Sequence, residues 1–208
     1  LVYSGNFEGA VEVDQRDTTR VQMGLGSFDF SWNLLPNESF ETPEVVLVYS
    51  NTGLNGMSQT FHDLYNERLI KRHYHHPIVV NNWEATYFDF NEEKLAALIQ
   101  SAKGLGIETF VLDDGWFGKR NNDECSLGDW KVNLEKLPGG LTKVAQMAKE
   151  NGMQFGLWFE PEMISIDSDL YRTHPEYAIR IDNREHAVSR CQLVLDLSKK
   201  EVCQYIID

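Results

Sequence analysis

Two adjacent acids, Asp113 and Asp114, follow a short apolar run, Thr109-Phe110-Val111-Leu112, and precede Gly115, Trp116 and Phe117. A carboxylate accepts hydrogen bonds from hydroxyls, and an indole packs on the C–H face of a sugar ring, so this combination fits a carbohydrate site. Three roles are open to the acids. One could cap the following turn while the other is solvated, an ordinary use of Asp after a strand. As a nucleophile and acid they meet a geometric objection. A retaining glycosidase holds its two carboxyls about 5 Å apart across one bond, whereas neighbours in an extended chain point apart. Gripping two hydroxyls of one sugar suits the geometry better.

Trp83, Trp116 and Trp158 each end or follow an apolar run, with Asn82 and Glu84 beside the first and Glu160 just beyond the last. Any one alone would be read as core. Three at equivalent positions, each near an acid or amide, match a pocket with an apolar wall and a few polar groups. Glu160 and Glu162, in Trp-Phe-Glu-Pro-Glu, have the chemistry of a general acid or base. The favoured reading is that Pro161 stiffens a loop and the acids pair with Arg172 or Arg190. Arg190 itself is either a surface residue or a donor to the sugar.

These residues need elements to position them. Ile78-Val79-Val80, Thr109–Leu112 and Gln154–Phe159 are continuous apolar runs, the mark of strands buried on both faces. Between them lie two helical patterns. One runs from Glu92 to Lys103, capped by Asn91 and stopped by Gly104 and Gly106. The other runs from Leu141 to Glu150, ended by Asn151-Gly152. Repeated β-α-β demands right-handed crossovers and a parallel sheet. Functional residues at the strand ends point to the start of a (β/α)8 barrel, whose chemistry sits at the strand C-termini. A doubly wound sheet is the alternative, but the glycine-rich phosphate loop that usually follows its first strand is missing from the sequence. Further on, Asp167–Tyr171 reads as a short helical piece, Gln192–Asp196 as strand-like, and Ser198 as the cap of a helix over 199–207.

The first 60 residues follow a different grammar. Short alternating runs, at 10–14, 19–25 and 45–50, are separated by Gly, Asn, Pro and Ser, which predicts part of an antiparallel β-sandwich. A helical pattern with Phe61, Leu64, Tyr65 and Leu69, capped by Ser58, leads to basic Arg68, Lys71 and Arg72 and reads as a linker. The expected organisation is therefore the end of a sandwich over 1–60, a helical linker over 61–76, and the first three or four βα units of a barrel over 77–208. Both ends read as truncated, since a barrel cannot close with so few strands.

Bulk properties exclude more than they prove. A formal charge of −13 on 208 residues disfavours nucleic acid and anionic membranes as partners and suits a neutral substrate. No apolar stretch reaches the ~20 residues that a membrane span needs. Cys125, Cys191 and Cys203 lack metal-ligand spacing and read as free thiols in a reducing compartment. His73, His75 and His76 read as a junction rather than a metal site. No metal or cofactor is expected.

Four segments carry a resemblance: Asn81-Asn82-Trp83-Glu84-Ala85-Thr86, Leu112-Asp113-Asp114-Gly115-Trp116-Phe117, Ser126-Leu127-Gly128-Asp129-Trp130, and Gly156-Leu157-Trp158-Phe159-Glu160-Pro161-Glu162-Met163. Together they resemble glycoside hydrolase family 36, the bacterial and fungal α-galactosidases that act on raffinose, melibiose and related oligosaccharides. The resemblance covers about residues 75–208, with the first part similar to the end of that family's N-terminal sandwich. It implies a retaining double displacement without a metal. It also implies that Asp113 and Asp114 hold the galactose 4- and 6-hydroxyls, that Trp158 is a wall of the galactose pocket, that Trp83 lies near its mouth and that Arg190 binds substrate. A cytoplasmic homo-oligomer, a tetramer by the same resemblance, is expected for the parent. The family's nucleophile lies in a Lys-x-Asp-x-Asn motif that this chain does not contain, and the general acid lies further on, so no catalytic residue is assigned. α-N-acetylgalactosaminidase or transglycosylase activity, a non-catalytic sugar-binding module, and an unrelated barrel hydrolase using Glu160 as acid are the competing functions.

Overall fold

A computed structural model describes residues 6–28, 30–71, 75–181, 183–186 and 188–208. The chain divides into two compact units, Leu1–Tyr74 and His75–Asp208.

In the first unit, β1 (Phe7–Val13) and β2 (Thr19–Leu25) form an antiparallel ribbon in which Val11 faces Val21. The turn between them is tied by the Asp14 carboxylate, which accepts from the backbone N–H groups of Arg16 and Thr18 at 2.8 and 3.0 Å. The run at 45–50, expected as a strand, takes no regular structure. Alternation alone does not make a strand without a partner to complete its hydrogen bonds. The helix α1 (Gly53–Leu64) begins upstream of Ser58, which therefore lies within it rather than capping it, and it runs on into a π turn at Tyr65–Leu69. Arg72 and His73, placed by the sequence at the linker and junction, lie outside the described residues.

The second unit is built on a parallel sheet in the order β3 (Val79–Asn81), β4 (Thr109–Leu112) and β5 (Gln154–Leu157). After β3 comes a single turn, α2 (Trp83–Thr86), then α3 (Glu92–Ala102); α4 (Gly140–Glu150) joins β4 to β5. Asn91 starts α3 as its sequence suggests: its side chain accepts from the Lys94 N–H at 2.9 Å, satisfying a donor that the helix leaves free. Leu95, Ile99 and Ala102 recur on one face of α3, and Val144 and Ala148 on one face of α4. Both faces close on Phe110 and Leu112 of β4 in one hydrophobic core. Cutting Phe110 to Ala would cost about 3–5 kcal/mol by transfer and cavity terms. In β5, a Cβ on Gly156 would lie 3.0 Å from a Val111 methyl, so the two strands meet closely there.

A smaller layer follows. β6 (Met163–Ser165) pairs antiparallel with β7 (Gln192–Val194), and α5 (Asp169–Thr173) and α6 (Lys200–Ile207) pack with them around Ile164, Leu170, Leu193, Leu195 and Val202. The strand-like run at 192–196 is thus a strand over Gln192–Val194 in a two-stranded antiparallel pair and not a further strand of the parallel sheet. Its partner Met163–Ser165 carries no strand signal in the sequence, being three residues long and close behind Pro161. Ser198 does not cap the last helix either. Its hydroxyl donates back to Asp196 at 2.6 Å, and the cap position falls to Lys199.

Candidate functional site

The parallel register sets three chain ends side by side. Asn81 pairs with Val111 and Val111 with Gly156, and just beyond them Trp158 N–H donates to the Leu112 carbonyl at 2.8 Å. Asn82, Asp113 and Trp158 are therefore first to leave their strands at the carboxyl edge. Asn82 is buried and knits two of them, accepting from the Asp113 N–H at 2.8 Å and donating to Thr86 Oγ1 at 2.9 Å.

The two acids then part. Asp113 is half-buried. Its Oδ2 accepts from the Asn81 amide, and its Oδ1 accepts the Asp114 N–H at 2.7 Å. The same Asn81 side chain accepts the Trp83 backbone N–H at 2.6 Å, so one amide ties Asp113 to the start of the Trp83 turn. Asp114 turns inward against Arg120, with side chains 8% and 0% exposed. Arg120 Nε lies 3.0 and 3.1 Å from the two carboxylate oxygens and Nη2 2.7 Å from Oδ2, while Nη1 reaches the Cys125 carbonyl at 2.8 Å. A planar guanidinium against a carboxylate is the geometry that satisfies such a pair away from water. Gly115 makes the next bend at φ +100°, where a Cβ would lie 3.0 Å from the Phe88 ring.

The tryptophans divide. Trp83 is half-buried and meets Tyr87 and Phe88 edge-on, at 5.2 and 5.0 Å between ring centres. Trp158 is half-buried, its ring nearly parallel to Phe117. Trp116, grouped with them by the sequence, is core: it is 3% exposed and donates its indole N–H to the Trp158 carbonyl at 2.9 Å. It supports the Trp158 segment instead of facing solvent. Trp130 packs on Phe159 and Phe117 at 4.0 and 4.5 Å, so the exposed edge beyond Trp158 is aromatic.

Glu160 and Arg190 approach from β5 and the turn before β7. Burial holds the Glu160 carboxyl above the ordinary carboxylate range, and Glu162 pushes the same way. Arg190 and then Arg120 pull against this, and Asp114 adds a smaller push. Those charges thus share one electrostatic neighbourhood. Gln192 Nε2 stands 3.4 Å from Glu160. Arg190 and Cys191, both with left-handed φ (51° and 59°), form a tight turn in which Gln192 N–H donates to the Ser189 carbonyl at 2.9 Å. Arg172, offered by the sequence as a partner for the glutamates, instead binds Asp167 and Asp169 at 2.7 and 2.5 Å. Asp129 is spent on structure, accepting the N–H groups of Asp169 and Leu170 at 2.9 Å each. Among the described residues, no group of three or more His, Cys, Asp or Glu is placed to hold a metal ion.

The sequence reading missed the residues that orient the acids. Asn81 and Asn82 carried a signal, as paired amides at a strand end. Arg120 carried none, since it follows Lys119 in a polar loop that otherwise reads as solvated.

Comparison with known proteins finds the Melibiase family model over residues 39–208 and the glycosyl hydrolase family 36 N-terminal domain over residues 1–35. Alpha-galactosidase AgaA of Geobacillus stearothermophilus is 58% identical over 211 aligned residues, covering 100% of this chain and 29% of that protein. Alpha-galactosidase Mel36A of Lactobacillus acidophilus is 52% identical over the same shares. Among solved structures, the family 36 enzyme AgaB of G. stearothermophilus superposes with a TM-score of 0.93 at 60% identity, covering 99% of this chain and 29% of that one. A variant of AgaA in complex with raffinose gives 0.94 at 57% identity over the same shares. The chain thus spans about 29% of the length of these relatives.

Proposed function

This chain belongs to the Melibiase family of glycosyl hydrolases, and on that premise we propose that it supplies the galactose-holding part of a retaining α-galactosidase active site. In this reading β3, β4 and β5 are the first three strands of a (β/α)8 barrel, and the β1–β2 ribbon belongs to an antiparallel sandwich that precedes it. The substrates are α-galactosides such as raffinose and melibiose, acted on by a cytoplasmic homo-oligomer.

The observation that carries the proposal is the shared edge. Three parallel strands release Asn81 to Trp83, Asp113 and Asp114, and Trp158 at one end of the sheet. Carboxylates at that edge can accept hydroxyl protons while a half-buried indole offers a flat apolar face, and both are needed to fix one sugar ring. Asp113 and Asp114 take the 4- and 6-hydroxyls, Trp158 forms the wall, Trp83 lies at the mouth and Arg190 adds a donor. The bond is broken by a nucleophile and an acid that this chain does not contribute.

Two measurements test it. The complete enzyme carrying this chain should release nitrophenol from nitrophenyl α-galactoside, and the 208-residue chain alone should not. In the complete enzyme, Asp114→Ala should raise KM and lower kcat together, because contacts to hydroxyls tighten in the transition state. Unchanged kinetics would reject the galactose-holding role.

A further inference from the structure

Lys136 lies outside every acid-and-tryptophan segment, yet its ammonium is aimed beneath them. Nζ donates to the backbone carbonyls of Phe88, Gly115 and Arg120 at 3.0, 2.9 and 2.9 Å. It also lies 4.8 Å from the centre of the Phe90 ring. An ammonium has three N–H donors, so three carbonyls use all of them. One of those carbonyls belongs to the residue directly after Asp114. Another belongs to Arg120, which grips the Asp114 carboxylate. The third belongs to Phe88, whose ring lies under the Arg120 guanidinium at 5.7 Å. Gly115 sits inside this cage, where a Cβ would be 3.3 Å from the Arg120 carbonyl and 3.3 Å from the Phe90 ring. Burial draws the Lys136 ammonium below the ordinary lysine range, with Asp114 and then Asp89 opposing. A flexible surface lysine would avoid that environment.

We infer that Lys136 is a positioning residue for sugar recognition: its three-carbonyl clamp fixes the turn from Gly115 to Arg120 and, through Arg120, the direction of the Asp114 carboxylate. The inference deepens the galactose-holding reading and rests on it. A lysine suits the task because one nitrogen sends three N–H bonds to converging acceptors. The planar fork of an arginine cannot do this.

The test uses the complete enzyme with nitrophenyl α-galactoside and the variants Lys136→Met and Lys136→Arg. Lys136→Met should raise KM roughly tenfold, the scale of one lost charge-assisted contact. A purely structural role would instead reduce the active fraction, lowering apparent kcat at unchanged KM, and that result overturns the inference. Lys136→Arg keeps the charge and should still raise KM; a wild-type KM in it also overturns the inference. This second variant carries the test if Lys136→Met does not fold. A crystal structure of either variant should show the Gly115–Arg120 turn displaced. An Asp114–Arg120 pair left in place would refute the clamp without reference to activity. Absence of α-galactosidase activity in the wild-type enzyme would refute the functional reading instead, leaving the crystal structure to decide the clamp.

Discussion

Replacing Arg120 by Met keeps an unbranched apolar stem but removes the guanidinium, leaving the Asp114 carboxylate in a place that water scarcely reaches. The wild-type pair has three contacts between 2.7 and 3.1 Å, and a fourth bond ties Arg120 to the Cys125 carbonyl. Breaking a buried pair from one side costs about 3–5 kcal/mol, because the remaining charge keeps its desolvation cost and loses its partner. At ~2–4 °C per kcal/mol for a domain of this size class, the thermal midpoint should fall by about 6–20 °C. The companion variant Asp114→Asn strands a guanidinium and should also be destabilised. The double variant should lose less than the sum of the two singles, by about 1 kcal/mol or more, since neither charge is then left alone. The assay is parallel thermal unfolding of the four proteins. A single-variant loss below ~1 kcal/mol, the scale of an exposed pair, would refute the buried-pair reasoning. So would strict additivity of the two losses.

Gly115→Ala should cost about 1–3 kcal/mol, because the backbone sits at φ +100° and the new Cβ would press on Phe88. Denaturant midpoints measure this, and a neutral result would mean the turn is free to move. Glu160→Gln addresses pH. The folded-state carboxyl is held above its unfolded value, first by burial. The wild type therefore binds a proton more readily when folded, and it loses stability as pH rises from the unfolded pKa through the folded one. The amide variant does not titrate, so it should gain on the wild type across that rise and match its trend below. Thermal midpoints scanned from pH 4 to pH 8 check the sign, and a parallel offset at every pH would contradict it.

The parallel core was legible because each of its elements announces itself locally. Asn91 caps α3, Leu95 and Ile99 repeat at helical spacing, and the Thr109–Leu112 run has no polar break. The acid-and-tryptophan edge was legible for the same reason, since each strand ends in its own motif. What escaped was the partnership between motifs. Nothing local says that Asn81 reaches Asp113, that Arg120 turns back six residues to Asp114, or that Lys136 reaches carbonyls 16, 21 and 48 residues away. Trp116 was misjudged on the same ground. Its type and place resemble those of Trp83 and Trp158, and only packing decides which ring faces in. The first unit was hardest to read, because alternation at 45–50 promises a strand without naming a partner to complete it.

A buried guanidinium and a half-buried ammonium beneath a pair of acids would be a poor choice for stability alone. A well-packed apolar core of the same volume would match or exceed a buried pair. Their presence asks what an apolar filling could not do. A sugar-holding carboxylate must keep its orientation while leaving lone pairs open for hydroxyls that arrive later. Apolar packing can hold a ring in place, but it cannot fix the rotation of a carboxylate. Arg120 fixes that rotation for Asp114 from the inner side, using mainly Oδ2 and taking only one contact on Oδ1. Asn81 and the Asp114 N–H do the same for Asp113, one contact on each oxygen. Each carboxylate offers about four lone-pair sites, so both acids are oriented without being saturated. Ligand selection needs that combination, since a mobile acid loses entropy on binding and a saturated one has nothing to accept with. In the galactose-holding reading, the cost of burying Arg120 and of drawing Lys136 partly out of water is therefore met before the sugar arrives.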